Sequence, residues 1–532
     1  MPDADPLIRR NTIGDALRRC ARRWRDKPAI LYGDRRWTFA ELERAAGRVA
    51  HGLRAAGFAA GDRIAAYGRN SDTYLLLWLA CARAGLIHVP VNFGLTGEEL
   101  RFILEQSGAA AVIADPEMEG ELHVLDQLSR PVRRGRFEGG RFEGGWDIDV
   151  LALARDGDRT GDGVWPVAGG DIAQIIYTSG TTGLPKGVAM SHDALMTHYQ
   201  SCIHECDFSG RDRVLSALPL YHAGQMHVFT MPSLLVGSTA TLIRGPEPPV
   251  VLRLIESERI DSFFAPPTVW VSLLRHPDFG TRDLGCLRNV YYGASIMPVP
   301  VVQELRRRLP GVRFYNCYGQ SEVGPLATLL RPEEHDARPA SAGRPVLNVE
   351  TRIVDEAMND VAPGVVGEIV HRSPHLLTEY WNNPEATAEA FAGGWFHSGD
   401  LGTMDEEGYL FIVDRIKDVI NTGGVLVASR EVEDALFEHP AVSEVAVIGL
   451  PDPKWIEAVT AVVVLRPGQT ASEEELIADC RQRLAYYKIP KRVIFADEFP
   501  RNASGKILKR TLRKTYGGTE AAFLTGETPP DA

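Results

Sequence analysis

A chain of 532 residues is too long for one compact core and is expected to divide into two or more domains of roughly 100 to 200 residues. Its 44% hydrophobic and 24% charged residues are ordinary globular values that exclude a disordered chain, and its net charge of -12 opposes nonspecific binding to nucleic acid, which relies on basic surfaces. Seven cysteines scattered singly from Cys20 to Cys480 fit a reducing compartment better than a disulfide framework, and MPDADPLIRR lacks the apolar run of a signal peptide, so the expected location is the cytoplasm.

From about Ala29 to Val250, apolar helical patterns alternate with short β-branched runs such as Ala111 to Ala114 and Ile172 to Tyr177. That alternation implies parallel sheets in an α/β fold. The longest apolar stretch, Tyr74 to Val91, contains Arg83 and His88 and has the length of one buried helix plus one strand, so no transmembrane segment is expected there. Arg133 to Trp146 carries a short tandem Arg-Phe-Glu-Gly-Gly repeat and reads as an exposed loop. Between about Val349 and Tyr409 the pattern changes to short strands broken by Pro and Gly, a small β-rich subdomain. Beyond Lys417 comes another compact unit, with strands at Val445 to Ile448 and Val459 to Leu465 and a helix carrying Leu476, Cys480 and Leu484 on one face. The polar, glycine- and proline-bearing end from Gly517 reads as a flexible tail.

The strongest chemical signal is YTSGTTGLPKGV, Tyr177 to Val188, after an apolar strand and before a helix expected near Ser191. Gly180, Gly183 and Gly187 let backbone N–H groups approach an anion, Ser179, Thr181 and Thr182 add hydroxyls, and Lys186 supplies charge, which together read as a phosphate site. It is not a Walker loop, because proline holds position 185 and glycine position 187. His198, Cys202, His204 and Cys206 fall on an expected helix at a spacing that matches no zinc ligand pattern.

This glycine-rich segment resembles the signature loop of the adenylate-forming superfamily, the acyl-CoA synthetases, luciferases and peptide-synthetase adenylation domains. Further motifs follow in the family's order: YGQSE (Tyr318 to Glu322), HSGD (His397 to Asp400), DRIKDVI (Asp414 to Ile420) and PRNASGKILKR (Pro500 to Arg510). The resemblance covers roughly residues 10 to 515. It implies a large N-terminal AMP-binding domain, residues 1–414, of two doubly wound α/β subdomains plus a small distorted β-barrel. A smaller α+β C-terminal domain, residues 415–532, would turn on a hinge at Lys417.

The implied reaction joins a carboxylic acid to AMP from ATP, with magnesium, and then passes the acyl group to coenzyme A. For ATP and AMP the resemblance implies Thr178, Ser179, Gly180, Thr181, Thr182, Gly183, Lys186, Gly293, Ala294, Ser295, Tyr318, Gly319, Gln320, Ser321 and Lys506, with the aromatic residue of YGQSE packing on adenine. Asp400 and Arg415 would hold ribose, with Ile412 nearby. Glu322 would hold the metal, and Lys506 would be the catalytic lysine, acting with Glu322, Thr178 and His222. The physics suits these residue types: a carboxylate attacking an anionic phosphate needs both neutralised, and positioned cations and N–H donors contribute more than a general base would.

Ala217 to Phe229 resembles the segment entering the acyl pocket, with His222 near the carboxylate and Gly224 and Thr268 among the acyl-binding residues. The segment contains no Asp or Glu to pair with an α-ammonium group, which disfavours an amino-acid substrate. Gly224, Met226, Val228, Pro232 and Phe263 to Trp270 are compatible with a hydrophobic acid, and the pattern most resembles fatty-acyl-CoA synthetases. Gly423 and Gly424 would line the coenzyme A tunnel. There the chain departs from the family's usual Gly-Gly-Glu-Asn-Val-Tyr-Pro, with Leu426 for asparagine and Ser429 for proline. A carrier protein or a separate thiolating enzyme therefore stays open as the acceptor; a luciferase-like oxidase is disfavoured because nothing specifically indicates an oxygen-handling site, and Lys186, Glu322, Asp400 and Lys506 argue against a noncatalytic nucleotide-binding module. A homodimer is compatible with the resemblance.

Overall fold

The computed structural model describes residues 8–139, 148–156, 165–178, 184–295, 297–501 and 507–517. The chain forms two compact units: Met1–Ile296, Leu305–Thr351 and Val370–His397 make the first, and Met297–Glu304, Arg352–Ile369 and Ser398–Ala532 the second.

Among the described residues the first unit holds two large sheets. In the nine-stranded one, Arg313–Tyr318, Asn289–Gly293, Ser262–Phe264, Arg213–Ser216, Thr239–Leu242 and Pro28–Tyr32 run parallel, and shorter antiparallel strands close both edges. In the eight-stranded one, Ile172–Thr178, Ile87–Val91, Arg63–Tyr67, Ala109–Ala114, Arg133–Arg136 and Ile148–Asp149 are parallel. Lys186–Ser191 and Glu379–Tyr380 extend it antiparallel at one edge.

The helix Asp72–Ala84 shows why these layers pack. Ser71 caps its start by accepting from Tyr74 N–H, and Gly85 ends it at φ 70°, a left-handed turn glycine takes without strain. It is apolar nearly all round, and residues from Tyr74 to Ala82 are at most 1% exposed. Such a helix is stable only when covered on every side, and one core joins it to Ala29 and Ile30 of one sheet and Ile64 and Ala66 of the other.

Two expectations change. The Arg133 to Trp146 stretch begins as a core strand, because Gly135 lets the chain lie against Ile113, where a Cβ would stand 2.4 Å from Cδ1, and Phe137 is fully buried; residues 140–147 lie outside the described residues. The β-rich segment from Val349 to Tyr409 is not one subdomain, since 370–397 returns to the first unit with an edge strand and the helix Pro384–Ala390. The helix expected near Ser191 is His192–Glu205, which Ser191 caps, and the strand Lys186–Ser191, which takes in the end of the glycine-rich segment, leads into it.

In the second unit, residues 352–354 of the strand Glu350–Val354, 367–369 of Gly367–Arg372 and 398–404 of Phe396–Met404 join Leu410–Arg415 in a four-stranded sheet. A five-stranded sheet follows, built on the long antiparallel pair Val442–Asp452 and Ile456–Leu465, with helices Ser429–Phe437 and Glu473–Arg483 covering Val447, Val459, Ala461 and Val463.

Candidate functional site

In an open α/β sheet, ligands bind beyond the carboxyl ends of the strands. Two adjacent parallel strands deliver candidate residues there. Asn289–Gly293 runs out into Ala294 and Ser295, both exposed, and Arg313–Tyr318 into Gly319, Gln320 and Ser321. The two ends lie close because Gly293 is opposite Cys317, where a Cβ would sit 2.2 Å from the Cys317 carbonyl oxygen. Glu322 sits in the single turn Ser321–Val323 that follows, and Tyr318 lies at a 6.5 Å ring separation from His371.

Thr178 ends the strand Ile172–Thr178, and Lys186, its cross-strand partner, begins the next. Ser179, Gly180, Thr181, Thr182 and Gly183 lie outside the described residues. The Thr178 hydroxyl donates to Glu322 Oε1 at 3.3 Å, and the Tyr380 hydroxyl donates to the same oxygen at 3.2 Å. Lys186 Nζ stands 4.9 Å from the centre of the Tyr380 ring. Burial, and then the Glu322 carboxylate, hold the Tyr380 phenol well above its usual pKa, so it stays a donor. Tyr380 was missed by sequence reasoning. It arrives because Glu379–Tyr380 pairs with Lys186–Ser191, placing Tyr380 opposite Val188, and no local pattern announces a two-residue edge strand.

Beneath Thr178 runs a buried polar chain. Tyr199 donates to His227 Nδ1 at 2.7 Å, His227 Nε2 donates to Gln174 Oε1 at 2.6 Å, and Gln174 Nε2 donates to His88 Nδ1 at 2.9 Å. These groups tie the strand carrying Thr178 to the neighbouring strand and to the wide helical turn Gly224–Thr230. Burial pushes the pKa of both histidines down to about 3, so both stay neutral: His227 accepts at one nitrogen and donates at the other, and His88 ends the chain as an acceptor. Nearby, Gly324, at φ 92°, leaves room for His198 and His375, and His375 Nδ1 donates to the Val323 carbonyl at 2.8 Å.

The acyl candidates sit on the same unit. His222 is half-buried, with its Nδ1 accepting from Gly224 N–H at 3.3 Å, and Gly224 faces Phe264. Thr268 lies in the first turn of the helix Pro267–Arg275, and its enclosed hydroxyl has no hydrogen-bond partner among the described residues. Met226, Val228, Phe263 and Trp270 are core side chains, each at most 3% exposed. Cys202 lies 3.2 Å from His198 Nε2, and among the described residues no group of three His, Cys, Asp or Glu is placed to hold a metal ion. A cavity of about 490 Å³ also opens in this unit, but Arg35, Asp115, Glu117, Glu138 and Arg244 line it and no candidate residue does.

In the second unit Asp400, 4% exposed, is opposite Arg415 across two strands, with Asp400 Oδ1 3.2 Å from Arg415 Nε. Ile412 is opposite Gly402 in the same ladder. Lys417 is exposed in the turn Ile416–Asp418. Gly423 and Gly424, at φ 67° and 87°, make a two-residue hairpin between Ile420–Thr422 and Val425–Val427, the geometry that demands glycine-like residues at both positions. Ser429, where the family's usual pattern has proline, has a structural reason. Its N–H and hydroxyl both donate to Asp414 Oδ2, at 2.6 and 2.7 Å, and proline could supply neither. Lys506 lies outside the described residues, between Arg501 and Ile507, which bridge antiparallel.

Residues 17–381 match the AMP-binding enzyme family, and residues 431–506 match the AMP-binding enzyme C-terminal domain. A feruloyl-CoA synthase of Amycolatopsis sp is 37% identical over 96% of this chain and 100% of its own. An indoleacetate–CoA ligase of Aromatoleum aromaticum is 35% identical over 92% of this chain and 95% of its own. ATP-bound MatB from Rhodopseudomonas palustris, 30% identical, superimposes with a TM-score of 0.86 over 95% of this chain and 99% of that one.

Proposed function

The chain belongs to the AMP-binding enzyme family, and from that premise we propose that it converts a hydrophobic carboxylic acid, through its acyl-adenylate, to the acyl-CoA thioester. It is an AMP-forming acid–thiol ligase, with ATP and coenzyme A as co-substrates. A carboxylate oxygen attacks the α-phosphorus of ATP, the bond to the departing pyrophosphate breaks, and acyl-AMP forms. The thiol sulfur then attacks the acyl carbon, loses its proton and displaces AMP.

The observation that carries the residue assignment is the convergence of Thr178 and Tyr380 on Glu322 at the carboxyl ends of the strands. A half-buried carboxylate with hydroxyl oxygens beside it is a hard donor set that suits magnesium, and Glu322 would hold it. When bound, the ion would neutralise charge on the phosphate oxygens. Thr178, the loop 179–183 and Lys186 cradle phosphate; Gly293 to Ser295 and Tyr318 to Ser321 take the adenine; Asp400, Arg415 and Ile412 take the ribose side. Lys506 bridges the reacting carboxylate and α-phosphate, and His222 orients the carboxylate. Gly224 and Thr268 line the acyl site, where the unpartnered Thr268 hydroxyl supports a polar contact to substrate. Gly423 and Gly424 flank the thiol, and a domain boundary at 414/415 with its pivot at Lys417 separates the two half-reactions.

Feruloyl and indoleacetyl groups in the relatives' names are both hydrophobic aromatic acyl groups, which supports the substrate class. No helix among the described residues is long and apolar enough to cross a membrane, and the seven cysteines are free thiols, which supports a cytoplasmic location. The test is a mass-spectrometric acid screen with ATP and magnesium, with and without coenzyme A. Acyl-CoA from a hydrophobic acid is the expected product. Acyl-AMP accumulating with coenzyme A present would assign the departing Val425 to Ser429 stretch to another acceptor, and no acyl-AMP from any acid would sink the reading.

A further inference from the structure

Two buried hydrogen bonds join the two sides of the pivot assigned to Lys417. Asp414 ends the segment assigned to the AMP-binding domain, in the strand Leu410–Arg415, and is 7% exposed. Beyond Lys417 the chain makes the glycine hairpin and then the helix Ser429–Phe437, whose first residue is fully buried. Asp414 Oδ2 accepts from both the N–H and the hydroxyl of Ser429, at 2.6 and 2.7 Å, while Asp414 Oδ1 accepts from the Arg415 N–H at 2.7 Å. The strand before the pivot and the helix after it therefore meet at one carboxylate, and Ser398–Ala532 falls within one compact unit.

The Ser429 hydroxyl is fixed from its other side as well. Lys509 Nζ donates to Ser429 Oγ at 2.6 Å and pairs with Glu433 Oε1 at 2.8 Å, one turn further along the same helix. Glu433 Oε1 in turn accepts from the Val447 N–H at 2.8 Å, which ties the group to the long strand pair. Because its oxygen accepts from an ammonium group, the hydroxyl points its single proton at Asp414. Ammonium, hydroxyl and carboxylate form one charge-assisted relay in a buried site, where such bonds are strongest and a carboxylate stripped of its donors is costly. Rotation about Lys417 would carry Ser429 and Lys509 away from Asp414, so the relay belongs to one orientation of the C-terminal domain. Proline, which the family's usual pattern has at position 429, supplies neither donor.

We propose that Asp414, Ser429 and Lys509 form a latch across the pivot that favours one of the two working orientations of the C-terminal domain and so sets the balance between adenylation and thioester formation. They are positioning residues and touch no substrate. A contact made in one orientation alone shifts the population by what that contact is worth, and the half-reaction that runs in the other orientation is slowed by the same factor. This rests on the two-step ligase reading with its pivot at Lys417.

The test uses the full-length enzyme and the variants Ser429→Pro, Ser429→Ala and Ser429→Thr. Ser429 is the first residue of its helix, where a fixed φ and a missing N–H are well tolerated, so the proline variant should fold. Adenylation is read by pyrophosphate exchange, and the second step by thioester formation from added acyl-AMP and coenzyme A. Ser429→Pro is expected to raise kcat/KM of one half-reaction about five- to thirtyfold while the other stays level or falls. Ser429→Ala should give a smaller shift in the same sense, and Ser429→Thr, which keeps both donors, should preserve the wild-type balance. Two half-reactions left unchanged by Ser429→Pro, or lowered together, overturn the latch. Failure of the pivot is visible separately, because Lys417→Pro, which stiffens the pivot itself, would then spare both half-reactions. Failure of the ligase reading would show in the wild type as the lack of one half-reaction.

Discussion

The Glu322 cluster of the first unit and the Trp455 edge of the second arrange their polar groups in opposite ways. Around Glu322, each group is already engaged: hydroxyls from two distant strands meet one carboxylate, and a chain of neutral buried side chains backs the strand that carries Thr178. Around Trp455, Lys454 and Lys491 stand over one indole on a turn held in strain, and Lys491 also donates to the Tyr486 carbonyl at 3.4 Å. A group that stabilises a transition state gains from being fixed before the substrate arrives. Perturbing the first should therefore cost rate.

The largest expected effect is at the fixed site. Glu322→Gln keeps the shape and removes the charge, and adenylation kcat should fall roughly 10²- to 10³-fold, read by pyrophosphate exchange, with thioester formation from added acyl-AMP preserved. A fall confined to KM for ATP would contradict this fixed role of Glu322.

Acid should separate the units next. His88 and His227 have folded pKa values of about 3 and an unfolded value near 6.5, so their neutral forms are favoured by folding. Below pH 6.5 the unfolded chain binds more protons than the native one, and stability falls with pH through that window and is flat above it. At pH 5 each histidine costs about 2 kcal/mol at 1.36 kcal/mol per pH unit. His198, His371 and His375 share the direction and the unit, while the second unit holds only His439. Calorimetry between pH 7 and 5 should show one transition moving to lower temperature as the other stays. A common shift of both transitions would contradict the assignment to the buried histidines.

The smallest effect sharpens the role of Tyr380. Tyr380→Phe deletes one of the two hydroxyls on Glu322 and leaves the ring under Lys186, so adenylation should fall only about tenfold, near 1.4 kcal/mol. A loss as large as that of Glu322→Gln would make Tyr380 a reacting group in its own right.

Much of this was legible along the chain, for a physical reason that differs from motif to motif. Glycine pairs announce backbone that only glycine adopts, and Gly423-Gly424 is such a hairpin. The β-branched run before Thr178 is a strand because such side chains fill a buried sheet. The Arg133–Arg136 strand was hidden by arginines and a glycine, since its burial comes from neighbours and not from its own side chains.

By itself the sequence determined which chemical groups are present and in what order: the glycine-rich loop, the acidic turn after Tyr318, Asp400, and a terminal lysine segment. All are signals of a few consecutive residues, set by local backbone preference. Only the tertiary structure decided which groups meet. Tyr380 reaches Thr178 and Glu322 through sheet order, Gln174 finds His88 and His227 through the packing of separate elements, and Lys491 finds Trp455 through the turn that ends one long strand pair. Such meetings depend on register and layer packing over long chain separations, which no local pattern encodes.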